Sequence, residues 1–264
     1  MSDQSDLQCA CCDEPLERLR YFPRQLLTAD DMRAEQAYFR EKARQHNRYL
    51  HGWGVACGCT VEVIDGARTP QVRVCPGYAV APQGDEIRID RCIDVDLKSG
   101  APEQPCSVRW PCPPLGEPPV VRDGRATVYI AVRYAECFSR PVKVHPAGCG
   151  CDETGCEYSR VRDSYEIKAL WQLPDSHIKA RADDDAWCST IQKTAPELLK
   201  RLHTFPVPPC PECDSDPWVV LATVSFLTNF DSSSGNHDLV TVRFNDRRVL
   251  LATHHLQVAT LCLP

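Results

Sequence analysis

The sequence contains no apolar run approaching the roughly 20 residues that a membrane-spanning helix needs, so a transmembrane protein is not expected. The basic and apolar regions of a secretory signal peptide are missing from the opening segment, MSDQSDLQCACCDEP. Basic residues are not in excess either, because 30 Lys and Arg against 36 Asp and Glu give a net charge of -6. Without a concentrated basic patch to neutralise phosphates, nucleic acid is not an expected partner. The sequence predicts a soluble, cytoplasmic protein.

Familiar catalytic motifs are missing as well. The chain has no G-x-S-x-G, no phosphate-binding loop, no H-E-x-x-H and no dinucleotide fingerprint. Cys137, in the segment RYAECF, is conceivable as a nucleophile, but nothing in the sequence positions a base beside it. We therefore expect a protein without catalytic residues.

Cysteine, by contrast, is abundant. The 264 residues include 17 cysteines, an odd number that cannot pair completely within one chain. Exposed free thiols are a liability in a reducing cytosol, so metal ligation and burial explain the cysteines better than disulfides do. Isolated thiols are predicted at five positions: Cys75, Cys92, Cys137, Cys188 and Cys262.

One long helix is predicted both by its start and by an apolar stripe. Thr28 can cap the helix, and Asp30 and Asp31 then place carboxylates at the positive end of the helix dipole. Gly52 and Gly54 supply the permissive backbone that ends the helix. One stripe of an amphipathic helix is formed by residues at spacings of seven, four, three and four: Met32, Phe39, Ala43, His46 and Leu50.

After the glycines, the pattern changes to the alternation of a strand. Cys57 and Cys59 share one face of this strand with Val55, Val61 and Val63, so both cysteines are predicted to point into the core. A free thiol behaves there as a small apolar side chain. The alternative is that the two cysteines bind a ligand.

Further alternating segments predict short antiparallel strands and a second group of longer ones. A hairpin is predicted in PGYAVAPQGDEIRI, with its turn at residues 83–85. Helical structure is expected from Ala195, and a closing helix is expected from Asn245. The predicted strands are centred on Val72, Tyr78, Ile87 and Ile93 in the first half, and on Val128, Tyr165, Trp218 and Val240 in the second.

The predicted fold class is α+β and mainly β. An N-terminal amphipathic helix packs on short antiparallel strands, and a second β-rich domain with a C-terminal helix follows. The boundary falls where residues 101–119 hold seven prolines, which cannot form a central strand or a helix interior. The chain is thus divided into a cysteine-bearing arm (1–20), a helix plus small β module (21–100), a proline-rich linker (101–125) and a second domain (126–264).

Two cysteine clusters have spacings typical of metal ligands. The segment HPAGCGCDETGC contains Cys149, Cys151 and Cys156, and the segment CPEC contains Cys210 and Cys213. The C-x-x-C spacing lets two thiolates occupy adjacent corners of a tetrahedron around Zn²⁺. Each cluster precedes a predicted strand, so parallel strands in one sheet would bring both loops to the same end. We expect a structural zinc ion bound by the CPEC cysteines and two of the other three. The alternative is a proline-stiffened turn and a mobile loop without metal.

A longer pattern resembles a known module. Residues 21–63 read YFPRQLLTADDMRAEQAYFREKARQHNRYLHGWGVACGCTVEV, and residues 72–89 read VRVCPGYAVAPQGDEIRI. Together they resemble a module of tail fibre and baseplate-associated proteins of phages and of phage tail-like contractile injection systems. The likeness is loose over residues 126–171. The resemblance implies that a helix-to-sheet junction is fixed by nine residues: Tyr21, Phe22, Gln25, His51, Gly52, Trp53, Gly54, Pro76 and Gly77.

The resemblance implies a non-enzymatic structural component of such a particle, of baseplate, fibre or adaptor type. It would assemble in the cytoplasm with baseplate, tube or sheath proteins into a particle that can be released, and association with further copies of itself stays open. Tyr38 and Tyr49 on one side of the helix and Phe39 on the other offer more apolar surface than one core contact needs, which favours a partner. The alternative is a helix enclosed by its own sheet.

Two other functions stay open at this point. The first is a metal- or thiol-dependent enzyme that the particle carries as cargo. The second is a module that binds glycans or peptides through exposed aromatic residues such as Trp110 in the proline-rich segment.

Overall fold

The structure, a computed structural model, describes residues 15–64, 69–97, 121–122, 124–143, 156–199, 201–211, 216–227, 240–253 and 255–256. It confirms a mainly β, α+β fold in which a helix precedes antiparallel strands. Among the helices in these ranges, none is long and apolar enough to cross a membrane. The helical elements are α1 (Ala29–His46), a π-helical turn (Asn47–His51), α2 (Asp175–Lys193), α3 (Pro196–Leu199) and a 3-10 turn (Leu202–Thr204).

Six short strands follow α1 and form two antiparallel sheets of three strands each. The strand order is β1-β4-β5 in one sheet and β2-β3-β6 in the other. The predicted hairpin is confirmed, because β4 and β5 pair across the turn at residues 83–85. The strands are β1 (Gly54–Gly58), β2 (Val61–Val63), β3 (Gln71–Val74), β4 (Gly77–Val80), β5 (Glu86–Ile89) and β6 (Ile93–Asp96).

The predicted alternation fails where β1 gives way to β2. The pairing of β1 with β4 shifts register between Val55 and Cys57. Gly58 and Cys59 then adopt the left-handed backbone conformation, with φ angles of 60° and 53°. A register shift of one residue moves side chains to the other face of a strand. The prediction that both cysteines face the core is therefore wrong for Cys57, which is exposed, and confirmed for Cys59, which is fully buried.

The second half of the chain builds a larger sheet around β8. Its strand order is β11-β10-β8-β7, and β9 also pairs with β8. Pairing with β10 ends at Val132, whereas pairing with β9 continues to Lys143. In the described part of the chain, β8 and β9 therefore extend beyond the sheet as a two-stranded ribbon. The strands are β7 (Val121–Arg122), β8 (Arg125–Lys143), β9 (Cys156–Leu170), β10 (Val219–Leu227) and β11 (Val240–Arg243).

Buried side chains from both halves of the chain form one hydrophobic core. Val72 and Ile87 from the small sheets belong to the same cluster as Ile130 and Leu221 from the large sheet. Most of the predicted linker, residues 101–125, lies outside the described residues. The proposed division into two domains stays a prediction, and the described halves pack against each other.

The segment after β11 is extended where a helix was expected. The Val55 N–H donates to the Arg248 carbonyl (2.8 Å), the Leu250 N–H donates to the Val55 carbonyl (2.9 Å), and Val249 forms a parallel bridge with Val55. The predicted helix start at Asn245 is therefore wrong. Among the described residues after β11, only 253, 255 and 256 are helical. Backbone pairing with β1 outweighs the local helical periodicity.

Candidate functional site at the helix–sheet junction

The segment before α1, residues 21–27, is organised by Gln25. The Gln25 Oε1 atom accepts a hydrogen bond from the Phe22 N–H (3.2 Å), and the Gln25 N–H donates to the Phe22 carbonyl (3.2 Å). These two bonds close a turn. The side chains of Tyr21 and Phe22 are exposed, so two of the predicted junction residues present their rings to solvent.

The predicted cap of α1 at Thr28 is confirmed, and it takes the form of a capping box. The Thr28 Oγ1 atom accepts a hydrogen bond from the Asp31 N–H (3.1 Å), and the Asp31 carboxylate accepts from the Thr28 N–H (2.8 Å). The hydrogen bond from the Thr28 backbone holds the pKa of the Asp31 carboxyl below its usual value. This cap fixes the direction in which α1 leaves residues 21–27.

The side of α1 that contacts the small sheets is polar. The Arg44 Nε atom donates to Asp85 Oδ1 (2.7 Å), and the Asn47 Nδ2 atom donates to the Gly84 carbonyl (2.9 Å). The Arg44 and Asp85 side chains are only 14 and 13% exposed, so water screens this ion pair less than an ordinary surface pair. The C-terminal end of α1 is thus attached to the β4–β5 turn by charge and hydrogen bonds.

The apolar stripe of α1 faces away from the sheets. The exposed fractions are 48% for Met32 and 61% for Phe39 in α1, and 68% for Leu50 in the π-helical turn. No residue of α1 itself is buried. A further polar contact, from Arg40 Nη1 to Glu136 Oε1 (2.7 Å), ties the middle of α1 to the ribbon. The helix is therefore amphipathic in the opposite sense to a core helix, with its polar side inward and its apolar side outward.

A cavity of about 400 Å³ lies between residues 18–21 and the helix α1. Its walls combine apolar, aromatic and charged side chains. The lining residues are Arg18, Leu19, Arg20, Tyr21, Glu35 and Phe39.

The π-helical turn after α1 brings two histidines together. The Nε2 atoms of His46 and His51 lie 3.2 Å apart, and their ring centroids lie 5.1 Å apart. A spacing of five residues matches the i to i+5 repeat of a π-helix. Gly52 ends the turn with a φ angle of 77°, and its N–H donates to the Asn47 carbonyl (2.9 Å). His51 and Gly52 therefore shape the exit from the helix.

Trp53 connects this exit to the second half of the chain. Its ring meets the ring of His177 in α2 edge to face at 4.8 Å, and the Arg248 guanidinium lies 5.1 Å from its centroid. The His177 Nε2 atom accepts a hydrogen bond from the Val220 N–H of β10 (3.0 Å). Burial lowers the pKa of His177 to about 4, so the imidazole is neutral and keeps this lone pair near neutral pH.

Pro76 and Gly77 form a corner at the far end of β1. The Cys59 N–H donates to the Pro76 carbonyl (3.1 Å), and Gly77 pairs with the last residue of β1. The Arg247 guanidinium donates to the carbonyls of Cys59 and Leu221, the latter at 2.6 Å. Burial lowers the pKa of Arg247 and raises the pKa of the Cys59 thiol to about 11. Arg247 thus links the corner to β10.

The structure places the nine predicted junction residues at three positions along the path into the sheet. Gly54 begins β1 opposite Val80 of β4, and Gly77 pairs at the other end of the same strand. Tyr21, Phe22 and Gln25 form the approach to α1; His51, Gly52, Trp53 and Gly54 form its exit; Pro76 and Gly77 form the corner.

The predicted zinc ligands fall mostly outside the described residues. Cys149, Cys151 and Cys213 lie outside them, whereas Cys156 and Cys210 are exposed free thiols. Within the described ranges, no group of three or more His, Cys, Asp or Glu side chains is arranged to hold a metal ion. The zinc site stays a prediction.

The strands that follow the two cysteine clusters do run in the same direction, because β9 and β10 are both antiparallel to β8. Their starts are far apart, however. Cys156 at the start of β9 pairs with Lys143, whereas Val219 at the start of β10 pairs with Val132, eleven residues earlier on β8. This offset is about 35 Å at about 3.3 Å per residue. A shared ion therefore requires the chain before β10 to extend along the ribbon.

Several residues that hold the junction together carry no local sequence signal. Arg44, Asn47, His177 and Arg247 bond to partners 26 to 188 positions away in the chain. Periodicity and motif spacing report on neighbours in sequence, so they do not reveal such pairs.

No protein-family model matches the chain, and no curated protein matches it significantly. The junction is therefore interpreted from its own geometry. A polar framework holds α1 in place, and the helix displays an apolar stripe. Such an arrangement is suited to noncovalent docking.

Proposed function

We propose that this protein is a non-enzymatic structural component of a phage tail-like contractile injection particle, of baseplate, fibre or adaptor type. In this proposal, α1 and residues 21–27 form the surface that docks on another protein of the particle. The resemblance of residues 21–90 to a module of such particles supports this function. Assembly would take place in the cytoplasm.

The observation that carries the proposal is the outward orientation of the apolar stripe on α1. Arg44 and Asn47 hold the polar side of the helix to the β4–β5 turn, so the stripe cannot turn inward without breaking those bonds. Burying the exposed parts of Met32, Phe39 and Leu50 against a partner contributes about 1–2 kcal/mol per side chain. That is enough for a specific contact when combined with hydrogen bonds at its rim.

The thiol of Cys59 supports a structural role for cysteine at the corner after β1. Its side chain is fully buried, and this burial raises the pKa of the thiol to about 11. A nucleophilic or metal-activated thiol needs the opposite shift, because the thiolate is the reactive form. We further propose that zinc staples the loops through Cys210, Cys213 and two of Cys149, Cys151 and Cys156.

A second candidate function is a module that binds glycans or peptides at a surface. The ribbon of β8 and β9 favours it, because the rings of Phe138 and Tyr158 stack at 6.0 Å and are both exposed. Flat exposed aromatic pairs are common in recognition surfaces. Binding in a glycan or peptide screen that is lost in Phe138→Ala, while docking through α1 persists, would establish this second function.

Pull-down of the native full-length chain with purified baseplate, tube and sheath components tests the proposed function. We expect stable association with at least one component, competed by a peptide covering residues 21–51. Recovery of the chain as a lone monomer with every component, under gentle conditions, would contradict the proposal.

A further inference from the structure

Two cysteines that are distant in sequence meet at the end of a small sheet. Val74, the last residue of β3, pairs with Ile93, the first residue of β6, so Cys75 and Cys92 are the next residues opposite each other. Their Sγ atoms lie 3.1 Å apart, and both thiols are free. The two cysteines are 17 positions apart and do not form a short cysteine motif, so the sequence pattern does not predict their contact.

The geometry of this pair is close to that of a disulfide. Side chains directly opposite on antiparallel strands have Cβ atoms about 4.5–5.5 Å apart, and a disulfide requires about 3.5–4.5 Å. Because a sulfur–sulfur bond is about 2.05 Å long, the Cys75 and Cys92 sulfurs need to approach by only about 1 Å. Rotation of the two side chains supplies a displacement of that size.

We propose that Cys75 and Cys92 form a reversible disulfide by exchange with a small-molecule disulfide of the glutathione type. Cys92 is exposed and Cys75 is only partly exposed, so Cys92 is the thiol that an external reagent reaches first. The contact between the two sulfurs follows from the register of β3 and β6 and is independent of the proposed assembly role.

The exchange takes place in two balanced steps. First, the Cys92 thiolate attacks one sulfur of the small disulfide, which forms a mixed disulfide on Cys92 and expels one small thiolate. Second, the Cys75 thiolate attacks the Cys92 sulfur, which forms the protein disulfide and expels the other small thiolate. The two electrons lost by the protein thiols reduce the small disulfide, and their two protons convert its halves to thiols.

The bond would close the segment that supports α1. Residues 76–91 lie between the two cysteines and contain the β4–β5 turn, to which Arg44 and Asn47 attach the helix. Cross-linking the ends of this segment restricts its opening. Oxidation would therefore slow amide exchange in residues 76–91, whether or not α1 docks on a partner.

The fold tolerates oxidation elsewhere. Cys137, on the buried side of β8, is disulfide-bonded, so the prediction that it is an isolated thiol is wrong. The predictions for Cys75 and Cys92 are wrong as well, because these two thiols are in contact with each other.

Peptide mapping of the native chain tests the proposal directly. The reduced protein is exposed to oxidised glutathione, quenched with an alkylating reagent and digested with trypsin without reduction. Cleavage after Arg73, Arg88, Arg91 and Lys98 leaves one cysteine in each of two peptides, residues 74–88 and residues 92–98. We expect these peptides to be joined, lighter by two hydrogens than their sum, and separated by a reducing agent.

Two variants sharpen the result. In Cys75→Ser, no neighbouring thiol resolves the mixed disulfide, so the glutathione adduct on Cys92 should rise about tenfold above its level in the native chain. The joined peptides should persist in Cys188→Ser, which removes an exposed thiol on α2. Separate alkylation of the two peptides, a stable glutathione adduct on Cys92 of the native chain, or protection of both thiols that a chelator reverses would overturn the proposal.

Discussion

Arg44 of α1 and Asp85 of the β4–β5 turn form a largely buried ion pair, with Nε and Oδ1 2.7 Å apart, although 41 positions separate them in the chain. This pair turns the polar side of α1 toward the small sheets. The apolar stripe must then face outward, since the two sides of an amphipathic helix are opposite. The docking surface thus depends on a contact that contains no apolar side chain.

Replacing Gly84 by alanine should loosen this attachment. Gly84 has a φ angle of 96°, and a Cβ there would overlap the backbone of Arg44. The left-handed conformation alone costs a non-glycine residue about 1–2 kcal/mol. We expect Gly84→Ala to lower the free energy of unfolding by more than that and to speed amide exchange in residues 40–51.

A substitution at Gly124 is the matched control, because it separates the cost of the left-handed backbone from the cost of the overlap with Arg44. Gly124 has a φ angle of 71° but nothing within 4 Å of the position that a Cβ would take. Gly124→Ala should therefore show only the conformational cost and leave exchange in α1 unchanged. Equal effects of the two substitutions would show that the approach of Gly84 to Arg44 does not hold the helix.

Removing the guanidinium of Arg247 should destabilise the corner after β1. Arg247→Met leaves the carbonyls of Cys59 and Leu221 without their donor. Each buried acceptor that loses its partner costs about 1–3 kcal/mol. We therefore expect the free energy of unfolding, measured with denaturant, to fall by about 2–4 kcal/mol. Arg243→Met, at an exposed position of β11, should shift stability by less than about 0.5 kcal/mol. Equal shifts for both variants would contradict the role of Arg247.

Acidification should weaken the fold through His177. Its pKa is about 4 in the folded protein, whereas the ordinary pKa of a histidine is 6.5, so the unfolded state binds more protons between these values. The contribution of neutral His177 to the free energy of unfolding is therefore present in full above pH 6.5. It decreases as the pH falls toward 4, by up to about 3 kcal/mol.

Two histidine variants test whether this pH dependence comes from His177. His177→Gln keeps an acceptor for the Val220 N–H and removes the titration, so unfolding between pH 6.5 and 4 should become less dependent on pH. His203→Gln, at an exposed position, should leave the dependence as in the native chain. An unchanged pH profile in His177→Gln would contradict the assignment.

Metal analysis tests the zinc prediction. If CPEC and the loop before β9 share an ion, the purified chain should hold about one zinc ion, and Cys213→Ser should lose most of it. Cys188→Ser, on α2, should retain it. A native chain that binds no zinc when supplied with the ion would show that these cysteines are not ligands.

The strands were predictable where one face of the strand is buried and the other is exposed. Val72, Val74, Ile87 and Ile89 alternate with polar residues, and all four are buried in strands at the expected places. The cap at Thr28 was predictable for the same reason, since its bonds join residues three positions apart. Local patterns report local structure.

The errors occur where a distant contact decides the structure. Cys57 turns outward because pairing with β4 introduces a register shift, and Val249 is extended because it bridges to Val55. The outward face of α1 follows from the Arg44–Asp85 pair, and the Cys75–Cys92 contact follows from the register of β3 and β6. Each depends on pairing between segments that the sequence pattern treats separately.

The affinity of a Phe39→Asp variant for the protein's partner in the particle tests the central claim most directly. Phe39 is 61% exposed on the apolar stripe, so the substitution should leave stability unchanged but weaken docking by about 30-fold, equivalent to about 2 kcal/mol. Ile178→Asp, on an exposed position of α2, should bind within about twofold of the native chain. Native affinity in Phe39→Asp would contradict the claim that the outward face of α1 is the docking surface.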